Sequence, residues 1–203
     1  MTIDERITSI KASRQYMMKV ALPLGIWFYI EYLLMIQAMH SPAISMIRVP
    51  LMALLPILLY WIVKTMRKRF FEGVRFHTFH GWFFCVNIMF FAGLIDAFGV
   101  LIYNKYISPD NLVALQEAAL AQLQSMQAIL EQNKELSQGF GAKFMSFFSE
   151  SASTLEETPI PSAVEAALKQ LSDDIFCGMF WGVPLGFLLR RKVEGESTQT
   201  PAA

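Results

Sequence analysis

The chain has 203 residues, 54% of them apolar, and its 17 basic and 17 acidic residues cancel. The zero balance hides a separation into basic and acidic regions, and no nucleic-acid partner is expected. The apolar residues gather into four runs instead of recurring at a core-like period, which places the chain in a lipid bilayer and not in a soluble core.

The first run covers residues 20–39, about 20 residues, the length that crosses a hydrocarbon core of about 30 Å at roughly 1.5 Å per residue. Asp4 and Glu5 precede it, Glu31 interrupts it and no small-residue cleavage site follows, so it reads as a retained span and not as a signal peptide. The second run is strictly apolar only over 49–63 and reaches spanning length as 43–63 by taking in Arg48. The third, 82–103, carries no Lys or Arg. The fourth is strictly apolar over 175–189 and extends to 171–189, which brings Asp173 and Asp174 to its boundary. Pro56 and Pro184 loosen the second and fourth spans locally.

Basic residues alternate with the runs. Arg6, Lys11, Arg14 and Lys19 precede the first; Lys64, Arg67, Lys68, Arg69 and Arg75 separate the second from the third; Arg190, Arg191 and Lys192 follow the fourth. Opposite them stand Arg48 and the dispersed Lys105, Lys134, Lys143 and Lys169. Lys and Arg stay on the cytoplasmic side, so both termini are expected inside. The run from Lys64 to Arg69, next to Phe70 and Phe71, sets topology and suits anionic headgroups as a by-product.

The segment 108–170 is expected outside as a helical hairpin. Ser108, Pro109 and Asp110 form a helix start, with Ser108 as cap and Pro109 at the first helical position. Leu112, Leu115, Ala119, Leu123, Met126 and Leu130 then recur at three- and four-residue steps, an amphipathic helix to about Leu136. Gly139 and Gly141 break it. Phe140, Phe144, Phe147 and Phe148 either line the returning helix or dip into headgroups. Glu150, Glu156 and Glu157 belong to an acidic loop ending in Pro159 and Pro161, and Ser162 caps a helix that enters the fourth span. The segment is either two helices packed on each other or a platform for an envelope protein or for lipid.

Inside the bilayer an ionisable residue costs on the order of 3 kcal/mol on insertion scales, so it must face protein or water. Glu31 in the first span has no evident cation at its depth, and Asn87 is its candidate partner. Asp96, in the outer half of the third span, has Arg48 as its nearest basic candidate, with Asp173 and Asp174 competing for that cation. These six residues serve either as polar glue between helices or as an ion-responsive pair, Glu31 and Asp96, in a small transporter. Gly178, Gly182 and Gly186 form overlapping small-xxx-small steps for close helix packing, within the chain or in a homo-oligomer. Cys85 and Cys177 are expected in opposite leaflets, too far apart for a disulfide, as free buried thiols. His77 and His80 with Glu72 are too few ligands for a metal and sit better as interfacial residues beside Phe76, Phe79 and Trp82.

The last third, with the 161–167 stretch Pro-Ser-Ala-Val-Glu-Ala-Ala and the 173–178 stretch Asp-Asp-Ile-Phe-Cys-Gly before a span closed by Arg190, Arg191 and Lys192, resembles the family catalogued as domain of unknown function 4199. The resemblance implies a bacterial cytoplasmic-membrane protein and brings no activity or cofactor. The expected architecture is all-α and polytopic: one membrane domain over 1–192, four spans, the outer hairpin, and a disordered cytoplasmic tail over 193–203. No nucleophile, base and oxyanion donor converge, so the expected role is a non-enzymatic envelope component acting through its hairpin, with no metal or cofactor. The alternative is a small transporter or transporter subunit using Glu31 and Asp96.

Overall fold

The computed structural model describes residues 3–38, 41–71, 76–132 and 140–190. Among them the chain is helical and has no strand: α1 (Ile3–Ala38), α2 (Pro42–Phe70), α3 (Thr78–Ile102), α4 (Asn111–Gln132), α5 (Phe140–Glu157) and α6 (Ala163–Leu189). A π-helical turn, Tyr103–Ile107, continues α3. Three stretches are long and apolar enough to cross a membrane: Lys11–Ala38, Met46–Phe70 and Thr78–Ile107. Of the four expected spans, composition therefore supports three, because Asp173, Asp174 and a set of glycines dilute α6. The expected tail over 193–203 lies outside the described residues, as do Glu72, Arg75, Gly139, Arg191 and Lys192.

The chain divides into two units, Met1–Val100 with Ala167–Ala203, and Leu101–Ala166. In the first, the core is built at helical spacing. Met17, Ala21, Leu24 and Phe28 on α1 face Leu59, Val63 and Met66 on α2, together with Cys85, Ile88, Met89 and Ala92 on α3. The opposite faces are apolar as well. Leu22, Ile26 and Ile30 on α1, Trp61 on α2 and Phe83 and Phe90 on α3 are exposed, the all-round hydrophobicity of helices surrounded by lipid.

Contacts give the helix directions. Tyr16 near the start of α1 packs edge-on against Phe70 at the end of α2, with the Arg69 guanidinium 5.3 Å from the Tyr16 ring centroid, so α1 and α2 are antiparallel. A Cβ on Gly25 would meet the Ala92 carbonyl at 2.6 Å, and one on Gly99 would meet the Tyr29 ring, so α1 and α3 run in the same sense. On α6, a Cβ on Gly178 would meet Met89 Cβ at 2.7 Å and one on Gly182 would meet Trp82 Cα at 3.1 Å, while Gly186 sits on the Thr78 carbonyl. α6 is therefore antiparallel to α3, and the glycine stripe is what lets the two backbones touch. Arg67 Nη1 donates to the Leu189 carbonyl at 2.9 Å, which closes the end of α6 beside the end of α2.

This register corrects the cysteine placement. Gly178 packs on Met89 and on the Cys85 carbonyl, so Cys177 lies near the level of Met89, about one turn along α3 from Cys85 and not at the far end of that helix. The span edges misled because α3 starts at Thr78, a turn before the first strictly apolar residue. Both thiols are free, with Cys85 buried and Cys177 half-buried.

In the second unit the sequence-based start of α4 moves. Ser108 N–H donates to the Tyr103 carbonyl and closes the π-helical turn, Asn111 N–H donates to the Ser108 carbonyl, and the first bond to Asp110 comes from Ala114. Ser108 and Pro109 thus belong to the turn, and α4 begins at Asn111, whose Nδ2 donates to buried Asn104 Oδ1 at 2.8 Å. Gly141 does not break a helix but lies in the first turn of α5, and Glu150, Glu156 and Glu157 are in α5, not in a loop. α4 and α5 pack on each other, and Gln116 Nε2 donates to the Leu155 and Thr158 carbonyls, satisfying groups that the end of α5 leaves open. Ser162 and Glu165 form a reciprocal cap for α6: Ser162 N–H donates to Glu165 Oε2 at 2.7 Å, and Glu165 N–H to Ser162 Oγ at 3.3 Å. These bonds hold the Glu165 carboxyl below its ordinary value. Their stabilisation is complete above the ordinary value of 4.5 and is lost as pH falls through the lowered one.

Candidate functional site: a polar pocket among four helices

At the end of the first unit away from Tyr16 and Leu189, α1, α2, α3 and α6 surround a cavity of about 400 Å³. Glu31 comes from α1, Arg48 from the first turns of α2, and Lys169, Gln170, Asp173 and Asp174 from α6. The apolar wall is Phe28, Met35, Met52, Leu55 and Met89. Asp96 on α3, fully buried, stands behind this lining and accepts a hydrogen bond from Gln170 Nε2 at 2.8 Å. Its other neighbour is Asp174, within hydrogen-bonding reach. A Cβ on Gly93 would meet Asp174 Oδ2 at 3.0 Å, so the absence of a side chain there is what admits the aspartate beside α3.

Of the six polar candidates, the structure brings five to this place: Glu31, Arg48, Asp173 and Asp174 line the cavity, and Asp96 backs it. The pairings differ from those expected. Arg48 is the cation acting on Glu31, which does have one at its depth. Asp96 is held by Gln170 and has Asp174 beside it, and Arg48 does not act on it. Asp173 does not compete for Arg48 either; it pairs with Lys169 at 2.8 Å on the exposed side of α6. Asn87 is no partner of Glu31: its Nδ2 donates to the Phe83 carbonyl one turn back on its own helix, at 2.8 Å. A side-chain amide in a membrane helix often finds its own backbone first.

Several polar atoms around the cavity are buried and unmatched by any described group: Glu31 Oε1, Arg48 Nε, Asp96 Oδ1 and Asp174 Oδ2. Gln170 and Lys169 were not singled out from the sequence. The available signal was spacing, since Lys169 stands four residues before Asp173 and Gln170 four before Asp174 on one continuous helix.

At the opposite end, His77 and His80 form a helix start. His77 N–H donates to His80 Nδ1, and His80 N–H to the His77 carbonyl, both at 3.0 Å. The His80 ring lies 5.0 Å from Phe71 and 5.7 Å from Phe76 by centroids. Among the described residues no group of three His, Cys, Asp or Glu could hold a metal ion.

The helix order, the glycine contacts of α6 and the acids beside them involve the stretches that carried the resemblance noted above. A family model described as a protein of unknown function, DUF4199, matches residues 19–191. The chain belongs to this family. The match runs through all four helices of the pocket and supplies no activity for them. No curated protein and no solved structure matches the chain.

Proposed function

We propose that this family member is a four-span protein of a bacterial cytoplasmic membrane with both termini inside, that it is not an enzyme, and that it binds a small polar solute in its intramembrane pocket as a small transporter or transporter subunit. The fourth span is supported by α6 itself, whose Phe176 and Phe180 are each 71% exposed and whose Phe187 and Leu188 are exposed too, an apolar stripe that lipid would cover. Single cysteines placed for Arg14, Lys68 and Arg190 in a chain with Cys85→Ala and Cys177→Ala are expected to react with an impermeant maleimide from the cytoplasmic side, and one at Gln127 from the other. Reaction of Arg190→Cys together with Gln127→Cys would leave a three-span protein.

The pocket reading is carried by Asp174, which is only 8% exposed and lines the cavity beside a second buried acid, Asp96. A buried acid costs less when a partner meets it, which is what a polar solute in the cavity would supply. The α4–α5 segment supports a second reading, an outer hairpin that contacts an envelope protein or lipid headgroups, since Met126, Ile129 and Phe147 are exposed on it. Native mass spectrometry of the gently extracted protein separates the two. A small ligand retained by the intact chain and by a deletion of residues 114–157, but lost from Asp174→Asn, is the expected result. A protein partner lost with the deletion, with no small ligand on the intact chain, would transfer the function to the hairpin.

A further inference from the structure

We propose that the pocket is a site for a primary ammonium group carried on a small, partly apolar body, with Asp174 as the carboxylate that anchors it. This inference rests on the pocket reading above and adds the chemistry of the ligand.

Charge balance around the cavity leads to a monocation. Asp173 and Lys169 neutralise each other at the exposed rim, and Arg48 acts on Glu31. Among the described residues no cation acts on Asp96 or Asp174. Asp96 is fully buried and Asp174 is 8% exposed, and the only donor given to the pair by the described side chains is the neutral amide of Gln170. Sharing one proton lets the two carboxyls meet, and in that state one negative charge is removed and one remains. One unit of positive charge therefore completes the site, because an uncompensated charge at this depth is far costlier than a paired one.

Hydrogen bonding then selects among monocations. Asp174 and Glu31 place carboxyl groups on α6 and α1 across the same cavity, and Glu31 Oε1 has no hydrogen-bond partner. A primary ammonium has three N–H donors and can serve acceptors on two helices. A quaternary ammonium has the charge but no donor. A bare metal ion lacks a ligand set among the described residues. The cavity, at about 400 Å³, is much larger than an ion and falls in the range of small-molecule pockets, about 300–1,000 Å³. Its wall of Phe28, Met35, Met52, Leu55 and Met89 suits an apolar body. An ammonium of this kind can come from a free amine or from the headgroup of an aminolipid.

The test is the thermal midpoint of the purified full-length protein in detergent, titrated with n-butylammonium, tetramethylammonium and n-butanol, for the native chain, Asp174→Asn and Glu31→Gln. A saturable rise with n-butylammonium is expected, with apparent affinity about tenfold or more weaker for tetramethylammonium and for each variant, about 1.4 kcal/mol or more. Nanodiscs of phosphatidylcholine with and without phosphatidylethanolamine distinguish the sources. If the aminolipid is the occupant, it raises the midpoint of the native chain but not of Asp174→Asn, and n-butylammonium then adds little. If Asp174→Asn does not fold, Glu31→Gln carries the comparison. The inference is overturned if neither n-butylammonium nor phosphatidylethanolamine has a saturable effect on the native chain, or if the variants respond as the native chain does. A non-amine solute bound in native mass spectrometry would overturn the ammonium assignment and leave the pocket reading standing.

Discussion

Gly186→Val is expected to lower the stability of the protein by about 3 kcal/mol, the upper part of the range for overpacking a close contact. A Cβ at Gly186 lands on the Thr78 carbonyl, so what stands in the way is the backbone of α3, which cannot rotate aside; the approach is as close from the other side, where a Cβ at Gly81 would lie 2.6 Å from Gly186 Cα. The neighbouring glycines make a graded control. At Gly182 the nearest atoms would be 3.1 Å away, so Gly182→Ala asks for a shift of only a few tenths of an ångström. At Gly178 the obstacle is Met89 Cβ at 2.7 Å and the Met89 chain beyond it, which is partly adaptable. Unfolding of the purified protein by a denaturing detergent, followed by tryptophan fluorescence, should rank the variants with Gly186→Val worst, Gly178→Ala next and Gly182→Ala nearest to native. Equal midpoints for Gly186→Val and Gly182→Ala would show that α3 and α6 do not touch where the structure has them.

The second large effect is expected at Gln170. Gln170→Leu removes the donor that meets Asp96 Oδ2, inside a site where Asp96 Oδ1 already has none, and leaves a fully buried carboxyl without it. The cost of orphaning such a group is about 1–3 kcal/mol. Asp96→Asn should be harmless or stabilising, because its amide still accepts from Gln170 through oxygen and offers Asp174 an N–H. In that background Gln170→Leu should cost less, with a coupling of about 1 kcal/mol between the two positions. Denaturant midpoints of the two single variants and the double variant measure it, and additivity within about 0.5 kcal/mol would mean that the 2.8 Å bond contributes nothing.

Some of this molecule could be read residue by residue. The apolar runs are legible because lipid imposes a length on any helix that crosses it, and the alternation of basic clusters is legible because charge resists transfer. Ser162 is legible as a cap because its partner, Glu165, is three residues away. The start of α4 was not, since Ser108 and Pro109 fit a helix cap and a turn equally well, and the π-helical turn that claims Ser108 leaves no periodic trace. The pocket was half legible. Glu31, Asp96, Asp173 and Asp174 stand out because acids are rare among apolar neighbours, but their partners do not.

An all-helical chain with membrane-length apolar helices, basic residues gathered between alternate runs and a glycine stripe on the last helix is written in the order of residues alone. Hydrophobic length, charge and side-chain size are local properties. Packing alone fixes that α6 lies antiparallel on α3 in a register that sets Gly186 on Thr78 and Asp174 beside Gly93. The same register brings Gln170 to Asp96, while Arg48 acts on Glu31 and Asn87 turns back to its own helix. Register is a joint property of two surfaces. A one-turn slide of α6 would preserve every apolar run and every basic cluster, yet it would carry Gln170 and Asp174 about 5.4 Å along the bundle axis, away from the acid they now meet.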